Sequence, residues 1–244
     1  MLSSRGHSTR SPPGPRWASR PPSRTTTLFA AASLLAGLLV LLRAAISGSF
    51  FLSWLPWNLF LAWVPYMIAA VVGRLADHSP HGSGLLVAPT LLWLLFIPNA
   101  PYVVTDYVHL RGADGARLAY DAGMIGVFAA LSLALGLASL QRMHHVVSRR
   151  LGGTWGWAFV GGVSLLCGIG VWMGRVLRWN SWDVLTNPMG LLLTTVGAFL
   201  DLGRHLGAVV FSASFGLTLL AAYALWRNLA TSMPSRVPAG QGLE

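Results

Sequence analysis

Apolar residues along this chain run in long windows, at 28–46, 57–73, 85–97, 122–140, 157–174 and 207–226, separated by short polar stretches. Crossing a hydrocarbon core takes roughly 20 apolar residues, so the windows predict an all-α, polytopic transmembrane bundle of about six spans. A further apolar run, 188–200, has 13 residues between Asn187 and Asp201. It is expected to lie at the interface or re-enter, because it is too short to cross.

The third window departs from the others. At about 1.5 Å per residue, 85–97 rises roughly 20 Å against a core of about 30 Å. The chain then reads IPNAPYVVTDYVHL, with Pro98 and Pro101 flanking Asn99 and Ala100. Proline lacks an amide proton and disfavours helix in the residue before it. The third span is therefore expected to break at the prolines and restart as a short helix. Asn99 is placed to satisfy backbone groups freed by the break, and Thr105 to cap locally. Broken backbone at membrane depth needs protein or a water-filled cavity around it.

Outside the spans, residues 1–27 are rich in Ser, Pro and Arg and lack apolar periodicity, which predicts a disordered basic tail. Residues 28–226 form the helical membrane domain and 227–244 a short tail. The first window would also suit a secretory h-region, with AIS before Gly48 as cleavage site, but the long tail favours an uncleaved span. Eleven of the 17 arginines fall on one side of a six-span layout and six on the other. That asymmetry predicts a plasma-membrane protein with both termini cytoplasmic. Five aspartates, including Asp106, Asp121 and Asp183, then face outward, and Asp77 faces inward.

Composition agrees with the pattern. Hydrophobic residues make up 54% and charged residues 10% of the 244, against about 25% charged in a soluble domain. The net charge of +10 comes from arginines scattered between apolar spans, which does not make the solvated basic face that nucleic acid needs. The lone cysteine, Cys167, sits inside an apolar run and is expected to be a buried thiol. Small residues every fourth position, Gly126, Ala130, Ala134 and Ala138, and the pair Gly170 and Gly174 predict close helix packing. Trp54, Trp57, Trp155, Trp157, Trp179 and Trp182 lie near span ends, as interfacial anchors do.

Candidate chemistry gathers at the outer boundary. Asp106 and His109 are three apart and share a helical face. The segment GRVLRWNSWDV ends the fifth window with Arg175, Arg178, Asn180 and Asp183. Two arginines at that spacing either snorkel to lipid phosphates or hold an anion by bidentate bonding, with a carboxylate as counter-charge. Asp201 and His205 form a second Asp/His pair, yet no HExxH, CxxC or histidine cluster accompanies it, so no metal is assigned. His144 and His145 fall in an arginine-rich inner loop and are expected on a solvated surface.

Three segments, NLFLAWVPY, PNAPYVVTDYVHL and GRVLRWNSWDV, resemble the signature segments of a bacterial multi-pass membrane family known as domain of unknown function 1361. The resemblance covers roughly Phe50 to Trp226. It implies a multi-pass fold and no particular reaction, and it adds Asn58 and Tyr66 to the residues of interest. No nucleophile elbow, P-loop or zinc motif names an enzyme class, and no cofactor is assigned. The expected function is a polar site at the extracytoplasmic boundary for an anionic lipid headgroup or envelope precursor, built from Asn99, Asp106, His109, Arg175, Arg178, Asn180 and Asp183. A small-solute or ion transporter and a non-catalytic membrane scaffold are the alternatives.

Overall fold

The computed structural model describes residues 23–78, 84–110, 115–179, 183–200 and 202–232. Helix α1 (Arg24–Ser47) begins where Ser23 accepts the Thr26 amide and ends at Gly48, whose φ of +64° closes the last turn. Residues 24–27 are thus helical rather than part of the expected tail; 1–22 lie outside the described residues. Helix α2 (Leu55–His78) carries Pro65 in its interior, and α3 (Gly84–Phe96) leads into α4 (Asn99–Tyr102) and a 3-10 stretch, Val103–Leu110. Helix α5 (Gly115–Leu151) is followed by α6 (Gly153–Trp172) and a π turn, Met173–Leu177. The chain closes with α7 (Asp183–Thr186), α8 (Pro188–Leu200) and α9 (Leu202–Ser232).

Six helical runs among the described residues are long and apolar enough to cross a membrane, the third being Gly84–Leu110. The chain is an all-α, multi-pass membrane protein. Helix α8, with 13 residues, rises only about 20 Å. Leucines such as Leu34, Leu38, Leu85, Leu193 and Leu217 are exposed on the outer surface, as suits helices whose surroundings are hydrocarbon.

The third span differs from the expected break. Pro98 keeps right-handed helical angles (φ −62°, ψ −23°), and the Tyr102 amide still reaches the Pro98 carbonyl at 3.2 Å. What changes is the hydrogen-bonding pattern, from α through a turn at 97–98 to 3-10. The eight 3-10 residues add about 16 Å at 2 Å each to the roughly 20 Å of α3, which removes the shortfall in length.

Helix α6 packs along α9, and α2 along α5 and α3, while α5 also meets α6 and the 3-10 stretch. At mid-bundle the indole of Trp93 donates to Ser139 Oγ at 2.6 Å, and Ser139 donates to the Pro65 carbonyl at 3.0 Å, tying α3, α5 and α2 together. Buried apolar residues form two large clusters, around Trp93 and Tyr223 and around Tyr66 and Phe128, and a small one where Trp172 meets Ala208. Cys167 is buried in the first.

Of the small-residue pattern on α5, Ala130 is exposed. Gly126 of that pattern does pack closely, an added Cβ standing 2.7 Å from the Tyr107 hydroxyl, and one face over a Cβ on Gly136 would stand 2.7 Å from the Ala100 side chain. Helix α5 also continues through the expected inner loop to Leu151. His144 is consequently buried, 5% exposed, with its Nδ1 2.6 Å from the Tyr223 hydroxyl, which corrects the solvated placement expected for it. His145 is exposed as expected.

Candidate functional site

The site grows from Pro98. Leaving the α pattern there frees the Phe96 carbonyl, and Asn99 Nδ2 donates to it at 3.0 Å. The 3-10 stretch has three residues per turn, so side chains three apart eclipse. That brings Tyr102 and Thr105 onto one edge and Val103, Asp106 and His109 onto the next. Runs of this geometry longer than three or four residues are uncommon, and a long one inside a span often marks a functional hinge.

Opposite stands the π turn, whose widened backbone carries Arg175 at its centre. Arg175 Nε and Nη2 donate to Thr105 Oγ1 at 2.9 and 2.6 Å. Nη2 also donates to Asp106 Oδ1, closing an ion pair with a carboxylate whose side chain is 1% exposed. The other carboxylate oxygen accepts from Asn58 Nδ2 at 3.1 Å. The guanidinium lies 4.5 Å above the Tyr102 ring. Asp106 therefore joins α2, the 3-10 stretch and the end of α6 through charge-assisted bonds. Helix approach permits this: a Cβ on Gly170 would meet Pro98 at 2.8 Å, and one on Gly174 would meet Tyr102 at 3.2 Å.

Beside the ion pair lies a cavity of about 400 Å³ lined by Trp57, Asn58, Leu61, Leu94, Leu95, Pro98, Asn99, Tyr102, Leu166, Ile169, Gly170, Met173, Gly174, Trp179 and Leu191. Its size falls within the range of small-molecule sites, and its make-up of apolar wall with few polar groups is theirs as well. The polar members are Asn58, Asn99 and Tyr102, with the indoles of Trp57 and Trp179. Neither Arg175 nor Asp106 lines it.

The structure thus unites Arg175 and Asp106 and sets Asn99 in the adjoining wall. It turns the other expected residues elsewhere. His109 Nδ1 lies 3.0 Å from the Asp106 backbone carbonyl, and its ring packs on Trp54 at 4.8 Å. Arg178 is exposed in the left-handed region (φ +58°), and no polar partner for it appears among the described residues. Asp183 begins α7 and is half-buried. Asn180 and the Asp201/His205 pair fall outside the described residues or side chains. Sequence spacing gave no sign of Asn58, which entered only through the family resemblance, nor of Thr105 as an acceptor for Arg175. Tyr66, singled out with Asn58, sits far from this site, where its hydroxyl bonds Arg142 Nη2 and Thr26 Oγ1, each at 2.8 Å.

A model of the family described as "Protein of unknown function (DUF1361)" matches residues 57–221, more than half of the chain, and the protein belongs to that family. No curated protein and no solved structure matches it.

Proposed function

We propose, for a member of a family without an assigned activity, that this chain binds a membrane amphiphile, an anionic lipid or lipid-linked envelope precursor, at the Asp106 end of the bundle. The observation that carries the reading is the cavity itself. Leu61, Leu94, Leu95, Leu166, Ile169 and Leu191 offer an apolar wall for a tail, and Asn58, Asn99 and Tyr102 offer a polar end for a headgroup. Arg178, exposed beside the cavity-lining Trp179, supplies the cation for a phosphate at the rim. Arg175 does not, because its charge is spent on Asp106.

The arginine asymmetry supports placing this end outside the plasma membrane, with both termini cytoplasmic. Solute transport has less support. A transport site wants polar groups near the midplane; of those buried in the bundle, Trp93 and Ser139 are bonded to each other and to Pro65, and Ser132, Ser164 and Ser212 contribute single uncharged hydroxyls.

Native mass spectrometry of the purified protein tests the reading. Wild type is expected to retain a phosphorylated lipid, Arg178→Ala to retain less, and Leu61→Trp, which fills the cavity with an indole, to lose it. Equal lipid adducts on all three proteins would refute it.

A further inference from the structure

We infer a second lipid site, remote from the cavity, where Thr26 of α1, Tyr66 of α2 and Arg142 of α5 meet: Arg142 there holds the phosphate of an anionic phospholipid. Arg43, Arg149 and Arg175 each hold an aspartate. Arg142 is half-buried, and its partners among the described residues are all neutral. Its guanidinium lies 4.1 Å above the Tyr66 ring, Nη2 donates to the Tyr66 hydroxyl at 2.8 Å, and Nη1 donates to the Tyr66 carbonyl at 3.4 Å. Tyr66 is buried against the rings of Phe29 and Trp63, so the group that grips the guanidinium is itself fixed. Arginine carries five N–H donors, and three of these have no acceptor among the described residues. A charge partly withdrawn from water is costly until a counter-charge joins it.

The surroundings add positive charge instead of relieving it. Arginine cannot accept, so the Tyr66 hydroxyl accepts from Arg142 and gives its own proton to Thr26 Oγ1, at 2.8 Å. That bond draws the first turn of α1 to the guanidinium. The turn carries Arg24 and no acid, and the positive end of a 24-residue helix beside a cation sets like charges together. The aspartates of the described residues are engaged elsewhere: Asp77 with Arg149, Asp106 with Arg175, Asp121 with Arg43 roughly 30 Å away along α5, and Asp183 at the start of α7. Residues 1–22, which lead into the turn, contain neither Asp nor Glu. An anion from outside the chain is what the arrangement fits. Leu28, close to Thr26, and Met67, next to Tyr66, are exposed apolar residues on the flanking helices, which suits an anion that arrives on acyl chains. By the arginine asymmetry this end faces the cytoplasmic leaflet, the one that carries negative surface charge.

The test is a native mass spectrometry competition between phosphatidylglycerol and phosphatidylcholine with identical acyl chains. It is run on wild type and on Leu61→Trp, whose cavity at the other end is filled, so that an effect seen in both does not depend on the amphiphile reading. One arginine at a membrane surface favours anionic lipid by about fivefold, and phosphatidylglycerol should be retained over phosphatidylcholine by at least that ratio. Arg142→Gln should bring the ratio close to one. Arg142→Lys keeps the charge but loses the fork held over Tyr66, and should keep only part of the preference. Arg74→Gln, which removes an exposed arginine of α2, should leave the ratio as in wild type. A second measurement needs no variant: phosphatidylglycerol should raise the melting temperature of wild type further than phosphatidylcholine does. Equal shifts from the two lipids, or an Arg142→Gln ratio like that of wild type, overturn the inference. Equal losses from Arg142→Gln and Arg74→Gln overturn it in favour of overall charge, and displacement of the lipid by millimolar inorganic phosphate overturns it in favour of a free anion.

Discussion

Arg43 on α1 and Asp121 on α5, 78 residues apart, meet in a two-pronged contact, Nε to Oδ1 at 2.8 Å and Nη2 to Oδ2 at 2.9 Å. Both side chains are under 10% exposed, and Nη1 adds a bond to the Ser49 carbonyl at 3.2 Å. Removing one member strands a buried charge, so Asp121→Ala should cost about 3–5 kcal/mol, and the pair Arg43→Leu, Asp121→Leu should recover most of it. Thermal unfolding in detergent measures both. A single variant as stable as wild type would show that the pair contributes nothing.

Asp106 and Arg175 should behave as one unit. A double-mutant cycle with Asp106→Asn and Arg175→Gln is expected to give a coupling of at least ~1 kcal/mol, since each partner is bonded to the other inside a shared network. Arg175→Lys should fall short of wild type as well, because an ammonium cannot span Thr105 and Asp106 as the guanidinium fork does. Additive single effects in unfolding experiments would contradict the network.

Close packing of α6 on α9 depends on Gly168, where an added Cβ would lie 2.1 Å from the Ser212 carbonyl oxygen; Gly162, by contrast, has open space around it. Gly168→Ala should destabilise the protein by more than ~1 kcal/mol through forced separation of the helices. Gly162→Ala should be neutral or slightly stabilising, as alanine favours helix by about 0.8–1.0 kcal/mol over glycine. Comparison of the two melting temperatures decides the matter.

Helix α8 should not cross the membrane. Single cysteines at Asn187 and Gly203, on either side of it, are expected to react with an impermeant maleimide from the same side, and a C-terminal reporter to be active only in the cytoplasm. Labelling of the two cysteines from opposite sides would make α8 a seventh span.

The six spans were readable because long apolar runs have few other uses. Their ends were not. Nothing between Gln141 and Leu151 breaks a helix before Gly152, yet its arginines and histidines read as a loop, and only the packing of Tyr223 and Trp157 on His144 explains why the helix continues buried. Arg175 and Arg178 were paired on the premise of α-helical spacing. The π turn and the left-handed Arg178 abolish that register, which sends one arginine to Asp106 and the other to the surface. Asp106 and His109 do keep a spacing that eclipses them, but the imidazole finds Trp54 instead of a shared ligand. The contact between Asn58 and Asp106 spans 48 residues, and no periodicity encodes a pairing at that range.

The missing side chains of Gly170 and Gly174 act as a calibre setting. At Gly174 an added methyl would press on the edge of the Tyr102 ring at 3.2 Å, and at Gly170 on the Pro98 ring at 2.8 Å. Each would prise the end of α6 from the third span, at Gly170 against ring carbons of Pro98 alone and at Gly174 against the Tyr102 ring, with the Trp179 carbonyl oxygen 3.6 Å away. The bore can thus be regulated by one methyl at Gly170, on the wall opposite the Pro98 ring, separately from the hydrogen-bonding groups, whereas a methyl at Gly174 would act through Tyr102, which is one of them. Relatives that share the polar residues and differ at Gly170 would accept guests of different girth with the same chemical taste.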